Sequence, residues 1–548
     1  MTPTRRGVVR AAALVAAITV LARVVGFGRW LVFSKTVGAG CLADAYATAN
    51  QLPNVLFEIV VGGALAGAVI PVLAGPVARA DRAAQGRIIG ALLTWSALLL
   101  VPVAAAAWLL SRAYADTMMD SGCPGAAATA ARMLAIFVPQ VFGYAVAVVA
   151  TAVLQSHGRF AAGAVAPLVS SVVVIATYVV FARQAPHSDA ASRGAVDLLA
   201  WGTTLGVGAL ALTVLVPMLA LRMPLRPALR LDPGVGPVLR RLALAGLAVL
   251  VAQQLTFVVI TYLANHRGTD GSVAVYTWAY AIFLLPFAVL AQPLTTAVFP
   301  RLAAAQDGGT GYDGLVAAST RAVLLAGGLG AALLAGTAVP VARVFAYDDG
   351  QVHAATASSL ADALLAFAPG LAGFAVLMHA GRALYARHAG RPVAVVTTLS
   401  WVLAAVAAVV VTAVLGADDA VAGLAAAVSI AMVAGGVAIL RAVRRIAGAA
   451  ALVGVARAAV VATLAAAVAA VAGRLAAWPA ADGGWGSAVL FAVLSGLVVA
   501  LCFSATVWLT GGETTRQAVR ALSGGRLRGG GPRGTASGGT AAGGTEAM

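Results

Sequence analysis

Residues 23–74 read RVVGFGRWLVFSKTVGAGCLADAYATANQLPNVLFEIVVGGALAGAVIPVLA. This stretch is apolar enough to lie in a bilayer, yet it carries Arg23, Arg29, Asp44 and Glu58. A charge at bilayer depth costs at least roughly 2.5–3.5 kcal/mol on insertion scales, so such groups face a bundle interior or a wet cavity instead of lipid. Gly26, Gly28, Gly38, Gly40, Pro53 and Pro71 let these helices bend or break, with neighbouring helices satisfying the freed backbone. Charged, broken helices around a cavity imply a transporter core.

The surrounding chain has the same character. Its 548 residues are 61% hydrophobic and only 10% charged, with a mean hydropathy of +0.96; a soluble chain carries about 25% charged residues. The class is an all-α, polytopic membrane protein. The formal charge of +17 comes almost wholly from arginine, Lys35 being the one lysine. These arginines are dispersed between apolar runs, which fits loop charges that orient membrane helices and not a phosphate-binding face, so no nucleic-acid partner is expected. Three cysteines are too few for a disulfide scaffold and show no CxxC metal spacing. Cys502 lies in an apolar run as a small core residue. Cys41 and Cys123 both fall in external loops, where two free thiols are the expectation and a disulfide the alternative.

Windows of about 20 apolar residues place spans near 11–33, 42–73, 86–111, 130–155, 160–183, 195–221, 237–264, 271–302, 315–346, 358–386, 392–415, 419–441, 451–475 and 485–510. That is about 14 helices, of which 42–73 and 271–302 exceed one bilayer thickness and contain prolines, so kinks are expected. The basic leader Met1 to Arg10 imitates a signal peptide, but no small-x-small cleavage site stands out before Arg23, and a retained first helix is expected. Alternate loops hold Arg79, Arg82 and Arg87, then Arg222, Arg226 and Arg230, then Arg382, Arg387 and Arg391; the intervening loops hold Asp116, Asp120, Asp189, Asp348 and Asp418. The arginine bias puts both termini in the cytoplasm of a multi-pass plasma (inner) membrane protein. Residues 511–548 form a Gly-rich basic tail with too few apolar side chains to fold, expected to be disordered.

Two segments match at an offset of about 230 residues, the self-similarity of duplicated transporter halves. Phe137-x-Pro139, Gly143 and Leu154 align with Phe367-x-Pro369, Gly373 and Leu384, and Leu52-Pro53 echoes Leu285-Pro286. An offset spanning six helices means a parallel repeat with its axis along the membrane normal. The expected architecture is two six-helix lobes, 1–230 and 231–447, two additional helices in 448–510, and the tail. Substrate would bind between the lobes.

These residues resemble the MurJ (MviN) family of lipid II flippases, within the multidrug/oligosaccharidyl-lipid/polysaccharide exporter superfamily. The family pattern appears in order as Ala22-Arg23-Val24-Val25-Gly26-Phe27-Gly28-Arg29, Gly38-Ala39-Gly40, Asp44-Ala45-Tyr46, Leu52-Pro53-Asn54 and Pro71-Val72-Leu73-Ala74. Arg159-Phe160, Ala166-Pro167, Tyr276 with Ala279-Tyr280, Pro286, Pro300 and Tyr385-Ala386-Arg387 before Pro392 extend it over about residues 10–445. The resemblance implies alternating-access transport of a polyprenyl-pyrophosphate-linked peptidoglycan precursor from the inner to the outer leaflet. Its expected partners are the lipid-linked substrate, membrane lipids and cell-wall synthesis proteins. It further implies cavity arginines on the pyrophosphate, for which Arg23 and Arg29 are the matching positions, an acidic position at Asp44, and a lipid-tail groove formed by the last two helices. Two departures stand out: Phe57 and Glu58 follow the L-P-N motif where basic residues are common, and Tyr280-Ala281 replaces an Asp-Arg pair. A diverged paralogue exporting another lipid-linked glycan, or a non-transporting cell-envelope scaffold, is the alternative.

Residue by residue, Arg23 lies too deep for easy snorkelling, and its guanidinium fork suits phosphate; a structural pair with Asp44 or Glu58 is the competing role. Arg29 lies six positions on, about 240° around an unbroken helix, so the two arginines converge only if Gly26 or Gly28 breaks it. Asp44 is a gate residue or an ion pair with Arg29, and Glu58 reads as structural. Gln253 and Gln254 occupy the corresponding span of the second repeat, where they bind sugar hydroxyls or, by default, bridge helices. His157, His379 and His388 show no metal-ligand spacing, and no nucleophile–base pair, P-loop or zinc site is present, so no catalytic residue, cofactor or metal is expected.

Overall fold

The computed structural model describes residues 5–62, 69–119, 122–185, 191–229, 235–305, 310–348, 351–478 and 484–510; the tail expected at 511–548 lies outside them. The segment expected as the first lobe contains α1 (Arg5–Thr36), α2 (Cys41–Leu56), α3 (Val69–Ala78), α4 (Arg82–Leu109), α5 (Ser111–Met118), α6 (Ala126–Phe137), α7 (Gln140–Ser156), α8 (Ala161–Gln184) and α9 (Arg193–Leu219). The second contains α10 (Val235–Arg267), α11 (Ser272–Pro286), α12 (Gln292–Ala304), α13 (Thr310–Gly336), α14 (Ala338–Ala346), α15 (Ala354–Ala386), α16 (Gly390–Val414) and α17 (Ala420–Ala447). A two-residue antiparallel ladder, Tyr347–Asp348 with Gln351–Val352, joins α14 to α15. Last come α18 (Val455–Ala476) and α19 (Trp485–Thr510).

Thirteen of the described helical segments are long and apolar enough to cross a membrane. The expected span at 42–73 is not a single helix: α2 runs into a π-helical turn at Phe57–Gly62, and α3 begins at Val69. The second lobe repeats the device, since α11 ends at Pro286, a π-turn covers Phe287–Ala291, and α12 follows. Proline removes a backbone donor and crowds the preceding turn; each π-turn follows such a proline within about one turn. The repeat diverges elsewhere. Pro139 sits in the break between α6 and α7, whereas Pro369 lies inside the unbroken α15. Phe137 and Phe367, the matched aromatics, are both fully buried.

The connection between lobes, Leu221–Leu229, runs along α4. A Cβ at Gly86 would lie 2.4 Å from the Pro224 carbonyl oxygen and one at Gly90 2.0 Å from that of Arg226, so only glycine admits this chain. The Trp95 indole N–H donates to the Leu229 carbonyl (3.0 Å), and the Ala228 N–H to the Thr94 hydroxyl (3.3 Å). The terminal pair packs on α13: Leu325 and Ala332 meet Val461, Ala465, Ala469, Val499 and Phe503 in a cluster separate from the main core. Between α13, α15, α17 and α18 lies a cavity of about 490 Å³ walled by residues such as Leu324, Pro369, Val376, Val433, Leu440 and Ala466.

Candidate substrate cleft between the lobes

Hydrogen bonds between the lobes gather at the end carrying the first α1–α2 turn. Asp44, buried on α2, accepts from the backbone N–H groups of Gly271 (2.8 Å) and Ala274 (3.0 Å), and so caps α11 of the opposite lobe. A helix N-terminus exposes unsatisfied N–H groups and the positive end of the dipole, which a carboxylate complements. Gly271 enters this cap with φ +86°, and a Cβ there would stand 2.8 Å from the Ala39 backbone. Asp44 thus turns to a helix end and not to Arg29. Nearby, the Asn265 amide donates to the Thr48 hydroxyl (3.0 Å), and the Lys35 ammonium donates to the Tyr347 carbonyl. Phe33 and Trp278 (6.4 Å), and Phe27 and Phe345 (6.0 Å), stack edge-on across the same junction. Cys41 and Cys123 are joined by a disulfide, correcting the expectation of free thiols; the Cys123 sulfur lies 3.3 Å from an Asp270 carboxylate oxygen.

Towards the other end the arginines take over. The exposed Arg23 donates to the Gln292 side-chain carbonyl across the lobes (3.2 Å). On the same face of α12, at positions i+3 and i+4, Thr295 and Thr296 accept from Arg382 of α15 (2.8 and 3.2 Å). Residues three and four apart on a helix are neighbours, so two guanidinium groups are anchored to one turn of α12 from opposite lobes. Sequence reasoning took Arg382 for an orienting loop charge; the signal available was its place inside the apolar run GFAVLMHAGRALYA.

α1 is unbroken through Gly26 and Gly28, so Arg23 and Arg29 do not converge. Arg29 is half-buried beside Trp30 (5.2 Å) and acts electrostatically on Tyr144 and Tyr178 of the first lobe; its Nε finds no partner among the described residues. Glu58 is half-buried in the π-turn. The departures from the family pattern are filled by aromatic packing. Phe57 packs on Tyr144 at 4.7 Å, and Tyr280 joins Phe257, Tyr276, Phe283 and Phe367. Gln254 is buried in the wall of a cavity between the lobes, whereas Gln253 is half-buried and outside that wall. His379 is buried against the Ser319 hydroxyl (2.9 Å), and His157 meets the Gln85 side-chain carbonyl (3.1 Å).

Two helical lobes around an arginine-bearing cleft, with an apolar groove at one side, define a polytopic membrane transporter. The chain belongs to the lipid II flippase MurJ family, whose description matches residues 33–494. A lipid II flippase MurJ of Burkholderia cenocepacia is 30% identical over 395 residues, 69% of this chain and 73% of that protein. A probable lipid II flippase MurJ of Haemophilus influenzae is 27% identical over 299 residues, 52% of this chain and 56% of that protein. Among solved structures, a lipid II flippase MurJ in an inward closed conformation superposes with a TM-score of 0.72 at 15% identity, covering 90% of this chain and 99% of that one. An inward-facing MATE-family multidrug transporter of the MOP superfamily follows at 0.65 and 16%, covering 80% and 95%. Fold and family place the protein in the inner membrane as a multi-pass chain.

Proposed function

We propose that this protein flips lipid II, the polyprenyl-pyrophosphate-linked peptidoglycan precursor, from the inner to the outer leaflet. Family membership over residues 33–494 carries the substrate; the arginines on α12 supply the chemistry. A diphosphate needs cations that deliver several N–H donors in a fixed plane, which a guanidinium does and an ammonium does not. Arg23 and Arg382 hold the diphosphate in this reading, in place of cations absent at Phe57 and Ala281. Arg29, turned into the first lobe, supports the cleft electrostatically. The apolar cavity beside α18 accommodates the prenyl tail, whose transfer from lipid to an apolar wall is nearly neutral.

Both termini are cytoplasmic in this arrangement, so the end closed by Asp44, Asn265 and the disulfide faces outward. The exposed Arg23 then stands where substrate enters from the inner leaflet. The lobes 1–230 and 231–447 rock about the cleft, and opening the outer end breaks the Asp44 cap, which makes Asp44 a gate residue, one of the two roles considered for it. Enzymes that make and consume the lipid are the expected partners. The test is rescue of cells depleted of their own lipid II flippase. The native chain restores growth, and Arg23→Ala at equal membrane abundance does not. Failure of the well-expressed native chain to rescue would overturn the reading.

A further inference from the structure

At the end of the first lobe read as cytoplasmic, His157 stands one residue beyond the span that closes at Ser156 and caps the C-terminus of α7. Both of its ring nitrogens meet acceptors. Nδ1 lies 2.9 Å from the Val153 carbonyl oxygen, and Nε2 lies 3.1 Å from the Gln85 side-chain oxygen on α4. The Gln85 amide is not free to turn and offer its NH2 group instead. That group donates to the Pro76 carbonyl of α3 (3.1 Å), which only accepts. Ser156 gives no relief, because its hydroxyl, 3.4 Å from Nδ1, donates to the same Val153 carbonyl at 2.7 Å. Gln85 and Pro76 are buried, and His157 is half-buried.

A neutral imidazole carries one N–H and one bare lone pair, so in either tautomer one nitrogen here sets a lone pair against an oxygen. The imidazolium, with two N–H groups, satisfies both contacts. Two further observations agree. A cation at a helix C-terminus complements the partial negative charge there. The offset of 230 residues that aligns Leu154 with Leu384 also sets His157 against Arg387, a permanent cation whose guanidinium lies over the Tyr312 ring of α13 (5.2 Å). The helices α2, α3, α4, α8 and α9 and the first π-turn pack against α7. Their charged groups near this end are Arg79, Asp81, Arg82, Arg87, Arg159 and Arg222, with Glu58 in the π-turn; Asp44, Arg183, Arg193 and Asp197 stand at the opposite ends. The Asp81 carboxylate is committed to the Ala84 N–H (2.9 Å), and Arg79, Arg82, Arg159 and Arg222 are exposed, where salt screens them.

We propose that His157 is a proton-operated staple. With two N–H groups it ties the end of α7 through Gln85 to Pro76, and so holds α3, the second piece of the broken span, against the lobe. On losing one proton it releases that hold. Imidazole is the side chain whose charge ordinarily changes between about pH 5 and 8, so internal pH sets how firmly the helix beyond the Phe57–Gly62 turn is anchored. Protonation favours the stapled form, so its contribution is present at low pH and is lost as pH rises. The inference goes beyond the flippase reading and stands whichever lipid the protein moves.

The test uses the full chain in nanodiscs on a Cys502→Ser background, with spin labels at Ala78→Cys and Phe160→Cys, both exposed at this end. Label distances and melting temperature are followed between about pH 6 and about pH 8. With His157 present, the distance distribution is narrow at the acidic end and broadens at the alkaline end. The melting temperature exceeds that of His157→Gln at the acidic end and matches it at the alkaline end. His157→Gln gives one distribution throughout. Gln85→Glu, which offers Nε2 a charged acceptor, moves the midpoint up by about one pH unit, a shift that a merely structural histidine would not show. A distribution that ignores pH with His157 in place overturns the inference. So does a response that persists in His157→Gln, which assigns it to another group such as His388, and so does a midpoint that a folded Gln85→Glu leaves unmoved. Where Gln85→Glu does not fold, the comparison with His157→Gln decides alone.

Discussion

Arg23 and Arg382 reach one turn of α12 from different lobes, and each brings a planar fork of donors to the same place. Hydrogen bonds to charged groups contribute about 1.5–3 kcal/mol each, so Arg382→Ala should weaken lipid II binding at least about tenfold, with Arg382→Lys recovering part of it. Equilibrium binding in nanodiscs reads this directly, and unchanged affinity would remove Arg382 from the site. Asp44 works at the same scale. Its carboxylate caps a helix of the facing lobe, and removing an N-cap costs about 0.5–2 kcal/mol. Asp44→Ala should therefore shift the lobes away from the closed outer contact. Distances between spin labels at the outer ends of α2 and α11 would lengthen or broaden; an unaltered distribution would show that other contacts hold the closure.

At the scale of elements, the π-turns after Pro53 and Pro286 are the bends that the proline-bearing long spans predicted. π-bulges concentrate at functional sites; the first turn here packs against α10, and the second leads directly into Gln292, which accepts from Arg23. Pro286→Ala restores a backbone donor and straightens the path from α11 to α12. The expected outcome is a protein of equal or higher melting temperature with slower lipid transport in proteoliposomes, since Gln292, Thr295 and Thr296 would be re-aimed. Unchanged transport would mean that the bend is not required. The linker along α4 is less tolerant. Gly90→Val places atoms inside the Arg226 carbonyl, and overpacking of this kind costs about 1–3 kcal/mol, visible as a lower melting temperature.

For the whole molecule, the disulfide joins two segments of the first lobe, 82 residues apart in sequence. It therefore constrains that lobe and not the distance between lobes. Cys41→Ser with Cys123→Ser should lower stability by about 2–4 kcal/mol while leaving spin-label distances across the cleft unchanged. A change in those distances would show that the disulfide, beside Asp270, also acts on closure.

Membrane class, approximate helix number and the family could be read from the chain alone, because they rest on local and periodic signals: apolar length and the motif running from Arg23 to Ala74. The bends after Pro53 and Pro286 followed from the same signals. Partners across the cleft did not. Arg382 looks like a loop charge until α15 is packed against α12, and Asp44 looks like a partner for Arg29 until α11 presents its N-terminus. Hydrophobic periodicity specifies which face of a helix is buried, whereas the identity of the residue facing it depends on how separate helices come together, and only the tertiary structure decides that.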